Sequence, residues 1–550
     1  MRAPEPISLE HELAVLEQAR AAVQSKLRRL QDVKANGADA VTADYIASVI
    51  AGTVEKLTQE LVVFGRIDDE HAWRIGLYGI DDGSDQLVVD WRAPFAANFY
   101  QARFDDPRGL ERRVSYVGSI VDLMVEEFTT GEVSGSSPLL TELSRSRGAE
   151  MRTAVATLQS EQDELVRLSP EATLVLRGGP GTGKTVVGLH RAAWLVYNDT
   201  RLTADRLLVI GPSDRFLTYV ASVLPTLGEA RIHQTTFERL LGPSSIPGSD
   251  EAWIGALDRF EAGLLQPAEL KVGARTIPEY EVVEAVERVS KLNLPWRDRR
   301  KLFVDGLARA RNLPAKDVNR AAASVFPAVT PAQAMKTLRR RATLESIGLA
   351  SDLIDGWLTV DHRAAGHGDR PEGPLADEVQ ARFAGVPARY SHVIVDEAQD
   401  LSLLQLRAVL RRSKGVTVVG DDAQRSTPNS LGLRRVAALL ESELVEMRTA
   451  YRMSAEIADW LNEHAERHDL DAVHLDGVRP TGTHVRSVEA VEPVLADLHD
   501  RWGTVAHIRS GDVWQHKGVE YDAVVVDRRG MSPSEIYLAA SRAAHELVLA

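Results

Sequence analysis

Apolar positions between residues 8 and about 35 recur every three or four residues: Leu9, Leu13, Leu16, Ala19, Val23, Leu27 and Leu30, with mostly polar residues between them. That period predicts an amphipathic helix, and Asn36-Gly37 supplies its stop. Ile46, Ile50, Val54, Leu57 and Leu61 predict a second helix over about 43–63. Two long helices and a short loop make an antiparallel hairpin, with an arm on the order of 40 Å. A helical pair packed on the body and a dimerising coiled coil fit the same pattern.

From Phe64 the pattern changes to short strands: Trp73–Tyr78 and Leu87–Asp90 around the turn Asp81-Asp82-Gly83, then one or two strands over Arg112–Val121. This is a small β-rich module. The chain is helical again from about Glu142 to Leu168. Buried-type strands and helices then alternate: Thr173–Leu176, a helix over Val186–Tyr197, Arg206–Ile210, a helix to Leu224, and Ile232–Phe237. Such alternation predicts a parallel sheet covered by helices. It stops from about 240 to 385, a mostly helical insertion, and resumes at His392–Val395 and Val416–Gly420. A second, smaller α/β region follows beyond about 445, with strands near Val485, Val505 and Ala523–Val526. No internal repeat interrupts this order.

A chain of 550 residues exceeds one core, and 44% hydrophobic with 26% charged residues is ordinary for a globular protein. Cysteine is absent, which excludes disulfides and thiolate metal sites and fits a reducing cytoplasm. No run of about 18 apolar residues occurs, so no membrane span is expected. The N-terminus lacks the apolar stretch of a signal peptide. Net charge is −14, yet residues 288–341 hold fourteen Lys or Arg against three Asp, a local charge of +11. Arg297, Arg299, Arg300, Lys301, Arg339, Arg340 and Arg341 are its densest part. Contact with a phosphate backbone, docking on an acidic protein and a plain solvated surface all fit such a segment.

The chemistry is organised around Gly178-Gly179-Pro180-Gly181-Thr182-Gly183-Lys184-Thr185, which fits G-x-x-x-x-G-K-[ST] between a strand and a helix. Glycines let backbone N–H groups turn in around phosphates, and the helix N-terminus adds a favourable dipole. Lys184 is expected at the β/γ-phosphates and Thr185 on Mg²⁺. The strand His392–Val395 runs into Asp396-Glu397-Ala398-Gln399-Asp400. Asp396 is expected to reach Mg²⁺ through water, and Glu397 to polarise the attacking water. The strand Val416–Gly420 leads to Asp421 and Gln424.

In this order the motifs resemble superfamily 1 ATPases of the UvrD/Rep kind, from about residue 155 to the end. Gln162 matches that family's adenine-reading glutamine, Gly178–Thr185 its first motif and Asp396–Asp400 its DEAQD motif. Gly420-Asp421 with Gln424 matches the motif whose glutamine senses the γ-phosphate. Tyr451-Arg452 matches the pair that stacks on adenine and supplies an arginine finger. In His516–Asp522 the family's ribose-contacting glutamate corresponds to Glu520, and Ala540-Ser541-Arg542-Ala543 brings a second arginine. The resemblance implies two RecA-like P-loop NTPase domains with ATP and Mg²⁺ between them. Two departures bear on function. No aromatic follows Gln424 before Tyr451, where translocating helicases stack a base, and stacking is worth about 1–3 kcal/mol per base. Only 63 residues separate Arg452 from His516, leaving no room for the large fourth subdomain of DNA helicases in this group.

Phe64-Gly65-Arg66-Ile67-Asp68, Val89–Pro94, Phe99-Tyr100, Leu189–Leu195 and Val223–Glu229 resemble the HelD family of RNA polymerase-associated ATPases. The expected fold class is α/β, with the two RecA-like domains, a helical insertion, an N-terminal helical hairpin and the small β-rich module. The expected domains are a coiled-coil arm (1–63), the β-rich module (64–140), a first ATPase domain (141–240 and 386–445), the insertion (241–385) and a second ATPase domain (446–550). The resemblance implies an arm and a wedge that open core RNA polymerase and release nucleic acid, with ATP turnover freeing the ATPase. A monomer is expected, in the cytoplasm and at the nucleoid through the polymerase, with no membrane contact. A 3′→5′ DNA helicase or translocase is the alternative. The basic insertion would then touch DNA.

Overall fold

The structure, a computed structural model, describes residues 7–32, 63–117, 122–137, 158–199, 203–227, 229, 231–242, 246–359, 373–427 and 429–550. Helix α1 (Leu9–Asp32) presents Leu16, Ala19, Val23 and Leu27 on one face. That face does not stand free: it packs on Val63, Ile80, Val88, Val114 and Tyr116 of the β-rich module. The first helix of the expected arm is thus bound to the module along this stretch. The second, expected over about 43–63, lies outside the described residues up to 62, and Val63 opens the first strand of the module instead.

The module's sheet comprises β1 (Val63–Asp68), β2 (Ala72–Gly76), β3 (Ile80–Asp81), β4 (Gln86–Asp90), β5 (Arg112–Val117), β6 (Asp122–Glu127) and β7 (Glu132–Ser134), in the order β3-β4-β2-β1-β5-β6-β7. A buried carboxylate locks α1 to it. Glu12 accepts from Arg66 at 2.7 Å, from Arg74 at 3.2 Å and from the Tyr116 hydroxyl. A second such network, Asp90–Arg92–Glu229 with both contacts at 2.8 Å, ties the module to the α/β domain that follows it. Trp91 packs edge-on against His190 at 5.4 Å, and Arg167 donates to the Trp91 carbonyl at 2.9 Å. Phe64, Ile67, Trp91, Phe99 and Tyr100 share one apolar core with Leu174, Leu176, Val187 and Leu189 of that domain. The residues that carry the HelD resemblance therefore converge on one interface.

The first RecA-like sheet comprises β8 (Leu174–Gly178), β9 (Leu207–Gly211), β10 (His233–Thr236), β13 (Tyr390–Val395), β14 (Ser413–Gly420) and β15 (Leu444–Met447). Its order is β10-β9-β13-β14-β8-β15, all parallel. Near-continuous apolar strands are what a sheet buried on both faces requires. The division expected at 445 runs through β15, because Leu444–Met447 pair with Val175–Gly178 and extend the first domain's sheet. The second RecA-like sheet comprises β18 (Arg486–Ser487), β19 (Val505–Ile508), β20 (Tyr521–Val526) and β21 (Ala543–Leu549), ordered β18-β21-β20-β19 and again all parallel. A short parallel pair, β16 (Thr449–Ala450) with β17 (Asp476–Gly477), follows β15 at the crossing between lobes.

The insertion has its own core around Trp253, Trp296 and Trp357 and is mostly helical, with one hairpin of β11 (Leu270–Val272) and β12 (Arg275–Ile277). It is clamped to the first lobe by Glu378, which accepts from Arg382 and Arg407 at 2.8 Å and from Arg411 at 2.6 Å. The Asp250 carboxylate also caps Leu404 N at 2.6 Å.

Candidate functional site

The P-loop joins β8 to the helix Lys184–Asn198. Gly181 and Gly183 hold φ of 75° and 85°, the left-handed region that glycine tolerates. A Cβ on Gly178 would lie 2.6 Å from Thr182 Oγ1 and one on Gly183 2.6 Å from the Gln162 amide nitrogen, so the loop is closed to side chains from within. Lys184 Nζ donates to the Gly179 carbonyl at 3.0 Å, folding back over the loop. Thr185 Oγ1 donates to Asp396 Oδ2 at 2.7 Å, which brings the hydroxyl of one motif onto the carboxylate of another 211 positions away.

At the ends of β13 and β14 the acidic groups are buried and interlinked. Glu397 sits at φ 53°, an uncommon backbone for a side chain with a Cβ. Gln399 Nε2 donates to Glu397 Oε2 at 2.5 Å while its Oε1 accepts from Asp421 N at 3.0 Å. Gly420 must lack a side chain here, because a Cβ would lie 2.3 Å from Gln399 Oε1. Burial and the charge on Glu397 push the Asp396 carboxyl up to about 6. Burial also pushes Glu397 up, but Lys517, then Lys184, the Gln399 amide and Arg542 outweigh it and leave it below the usual carboxylate range. A cation beside Thr185 and Asp396 would hold Asp396 ionised, and hydroxyl and carboxylate oxygens are the donor set that Mg²⁺ takes.

The second lobe closes this site. Arg542 Nη2 donates to Gln424 Oε1 at 2.8 Å, and Gln424 Nε2 donates to Asp421 Oδ2 at 2.7 Å. Lys517 Nζ donates to Asp400 Oδ2 at 2.6 Å and to the Gln424 carbonyl at 3.0 Å, and lies 3.5 Å from Glu397 Oε2. Asp400 in turn accepts from Ser426 N at 2.7 Å and Thr427 N at 3.2 Å, fastening the segment after Gln424 to the DEAQD turn. Asn429 donates to the Gly248 carbonyl at 2.9 Å and Arg435 meets Glu251 at 2.6 Å, which joins that segment to the insertion. Where an aromatic would face a base, this chain has a hydrogen-bonded strut.

The residues expected on the nucleoside side are placed less directly. Gln162 Nε2 donates to the Thr182 carbonyl at 3.0 Å and its Oε1 accepts from Gln159 N at 3.1 Å, so its amide braces the P-loop. Tyr451 N donates to the Gly181 carbonyl at 3.1 Å, and its hydroxyl donates to Glu161 at 2.6 Å. Arg452 pairs with Glu520. Gly181, Arg452, Glu520 and Arg542 line a small hollow between the lobes. With Arg542 and Lys517 bonded directly across the cleft, this is a closed conformation.

Among residues beyond the motif list, Lys517 and Arg177 stand out. Arg177 meets Asp422 at 3.2 Å and Glu446 at 3.3 Å, and donates to the Asp471 carbonyl at 2.8 Å. Lys517 had a signal, its place beside His516 and Gly518. Arg177 had only its position before the P-loop. In the basic segment, Arg299 is taken up by Glu261 at 2.5 Å, Arg300 by the Phe326 carbonyl at 2.7 Å, Arg311 by Glu281 and Arg341 by Asp355. Arg297, Lys301, Arg309, Lys316, Arg320, Lys336, Arg339 and Arg340 stay exposed.

A parallel sheet with a P-loop, an Asp-Glu strand end and a second parallel-sheet lobe whose Arg542 and Lys517 complete the cleft define a P-loop ATPase of the superfamily 1 helicase kind. Residues 3–128 match the family described as DNA helicase IV HelD, N-terminal domain, and residues 162–428 match the AAA domain family. Together the two matches make the chain similar to the HelD-type ATPases, with a HelD-type N-terminal domain ahead of an AAA domain. No curated protein matches it. Solved structures that align with it include the arterivirus nonstructural protein 10 helicase (12% identity, 80% of this chain and 70% of that one, TM-score 0.30). The same helicase in complex with DNA aligns at 10% identity over 71% and 63%, with TM-score 0.30. The PRRSV helicase aligns at 14% identity over 80% and 62%, with TM-score 0.29. Among the described residues no helix is long and apolar enough to cross a membrane.

Proposed function

We propose that this protein is an ATP-driven motor that binds core RNA polymerase, inserts an N-terminal arm and a wedge formed by the insertion, displaces nucleic acid and recycles the enzyme. The observation that carries this reading is the single apolar core shared by the HelD-type module and the first lobe. A lobe that moves on nucleotide turnover moves that module with it. The strut after Gln424 supports the same reading, since it offers no aromatic for stepping along a strand.

In the nucleotide site, Gly178–Thr185 would cradle the phosphates, Lys184 would neutralise the β/γ oxygens, and Thr185 with Asp396 would hold Mg²⁺. Bound Mg²⁺ would offset charge on the phosphates. Glu397, kept ionised by its cationic neighbours, would accept a proton from the attacking water. Gln424 would sense the γ-phosphate, while Arg452 and Arg542 would stabilise charge developing in transfer. Gln162, Tyr451 and Glu520 would line the nucleoside. The closed cleft makes hydrolysis conditional on both lobes, and opening would then release product.

Exposed cations of the insertion would meet nucleic acid or an acidic polymerase surface. The protein would act as a monomer in the cytoplasm, drawn to the nucleoid by its partner. A pull-down against purified core RNA polymerase tests the reading; stoichiometric capture, with ATPase little stimulated by single-stranded DNA, is expected. Failure to bind, together with strong unwinding of a tailed duplex, would establish the UvrD-like 3′→5′ helicase instead, the reading that the +11 segment favours.

A further inference from the structure

We infer that Arg479 is a positioning residue for ATP hydrolysis, holding the two phosphate-directed arginines in register without reaching the nucleotide. Arg479 is buried in the second lobe, just after β17. Its Nη2 donates to the Arg452 carbonyl at 2.8 Å and to the Ala544 carbonyl at 2.6 Å. One guanidinium nitrogen thus bridges the backbone of the segment that carries Arg452 and the backbone two residues beyond Arg542. The same two segments are stitched again by Ser454 N, which donates to the Ala544 carbonyl at 3.0 Å. Arg479's own carbonyl accepts from Ala455 N at 2.9 Å, so its backbone and side chain both grip the Arg452 segment.

The other end of the guanidinium is fixed as well. Arg479 Nη1 lies 2.7 Å from His545 Nδ1. A guanidinium only donates, so Nδ1 accepts and the imidazole proton sits on Nε2, which faces Asp522 Oδ1 at 3.8 Å. Trp502 stacks on that imidazole at 4.8 Å and 8°. A planar fork aimed at three acceptors in fixed directions suits arginine and not lysine. A wrong offset between Arg452 and Arg542 would leave one of them away from the phosphate at the moment charge develops. Small misplacements of this kind cost rate rather than binding.

The inference rests on Arg452 and Arg542 acting on the transferred phosphate, so those are tested alongside it. Steady-state ATPase kinetics on the full chain would compare Arg452→Ala, Arg542→Ala, Arg479→Ala, Arg479→Lys and the Arg479→Ala/Arg452→Ala double variant, with thermal unfolding recorded for each. For Arg479→Ala, kcat is expected to fall roughly 10- to 100-fold, with KM for ATP within about 3-fold of wild type. The double variant is expected to lose less than the product of the two single losses, because the part of the Arg479 effect that runs through Arg452 is already gone. Should Arg479→Ala fail to fold, Arg479→Lys decides: a lowered kcat with an unchanged melting point supports the role, and wild-type kcat overturns it. Losses that multiply in the double variant would also overturn it. If Arg452→Ala and Arg542→Ala both leave kcat intact, the assignment of the two arginines fails first and the inference falls with it.

Discussion

Arg542 of the second lobe donates to the side-chain oxygen of Gln424 in the first at 2.8 Å, and that glutamine is itself anchored on Asp421. One hydrogen bond therefore spans the cleft at the point where the γ-phosphate is expected. Replacing Arg542 by Ala should lower kcat on the order of 1,000-fold, in the range seen for arginine fingers. Binding of a fluorescent ATP analogue should survive. Lys184→Ala should abolish turnover outright. A malachite-green phosphate assay beside an anisotropy titration checks both, and normal hydrolysis by Lys184→Ala would refute the site.

Lys517 carries a second prediction. Its ammonium faces Asp400, the Gln424 carbonyl and Glu397, and it is the strongest of the cationic influences on Glu397. Lys517→Ala should raise the Glu397 pKa and move the acidic limb of the kcat profile to higher pH, while single-site ATP binding persists. Identical pH profiles for the variant and wild type would remove Lys517 from the mechanism.

The insertion's clamp should be acid-labile. Burial pushes Glu378 up, but Arg407, Arg411 and Arg382 more than reverse it and bring the carboxyl down to about 2 from its usual 4.5. A folded-state pKa below the unfolded one stabilises above the unfolded value and is lost as pH falls toward the folded one. The contribution, on the order of 3 kcal/mol, should be intact above about pH 4.5 and vanish toward pH 2. Melting points of wild type and Glu378→Gln should differ most at neutral pH and converge on acidification. A constant gap from pH 7 to pH 3 would contradict the assignment.

The module and first lobe should unfold together. Arg92 is buried between Asp90 and Glu229, so Arg92→Ala removes the guanidinium that both carboxylates share and should cost about 3–5 kcal/mol. Calorimetry should show one shared transition for module and lobe moving down in temperature. A separate, unshifted transition for either would break the link between them.

The nucleotide motifs were legible in the chain because each is a short local segment whose residue types are set by phosphate and cation chemistry. The strand ends at Asp396 and Gln424 and the helix after Lys184 fell where apolar periodicity put them. The ties between lobes were less legible. Arg479 meets carbonyl oxygens 27 and 65 positions away, and every residue carries a carbonyl, so no side-chain pattern marks such a contact. Likewise the charge count over 288–341 does not reveal that Arg299 answers Glu261 and Arg300 a backbone oxygen. The end of the first lobe falls two residues beyond the expected 445, because β15 is apolar only in part and pairs with β8 nearly 270 positions earlier.

The coupling of hydrolysis to a larger machine is tested most directly by the rate at which the protein leaves immobilised core RNA polymerase when ATP is added. Wild type is expected to bind and then dissociate with ATP, whereas Glu397→Gln, able to bind ATP but not to turn it over, should bind and stay. If both leave at the same rate, or if neither binds, the motor does not serve the polymerase.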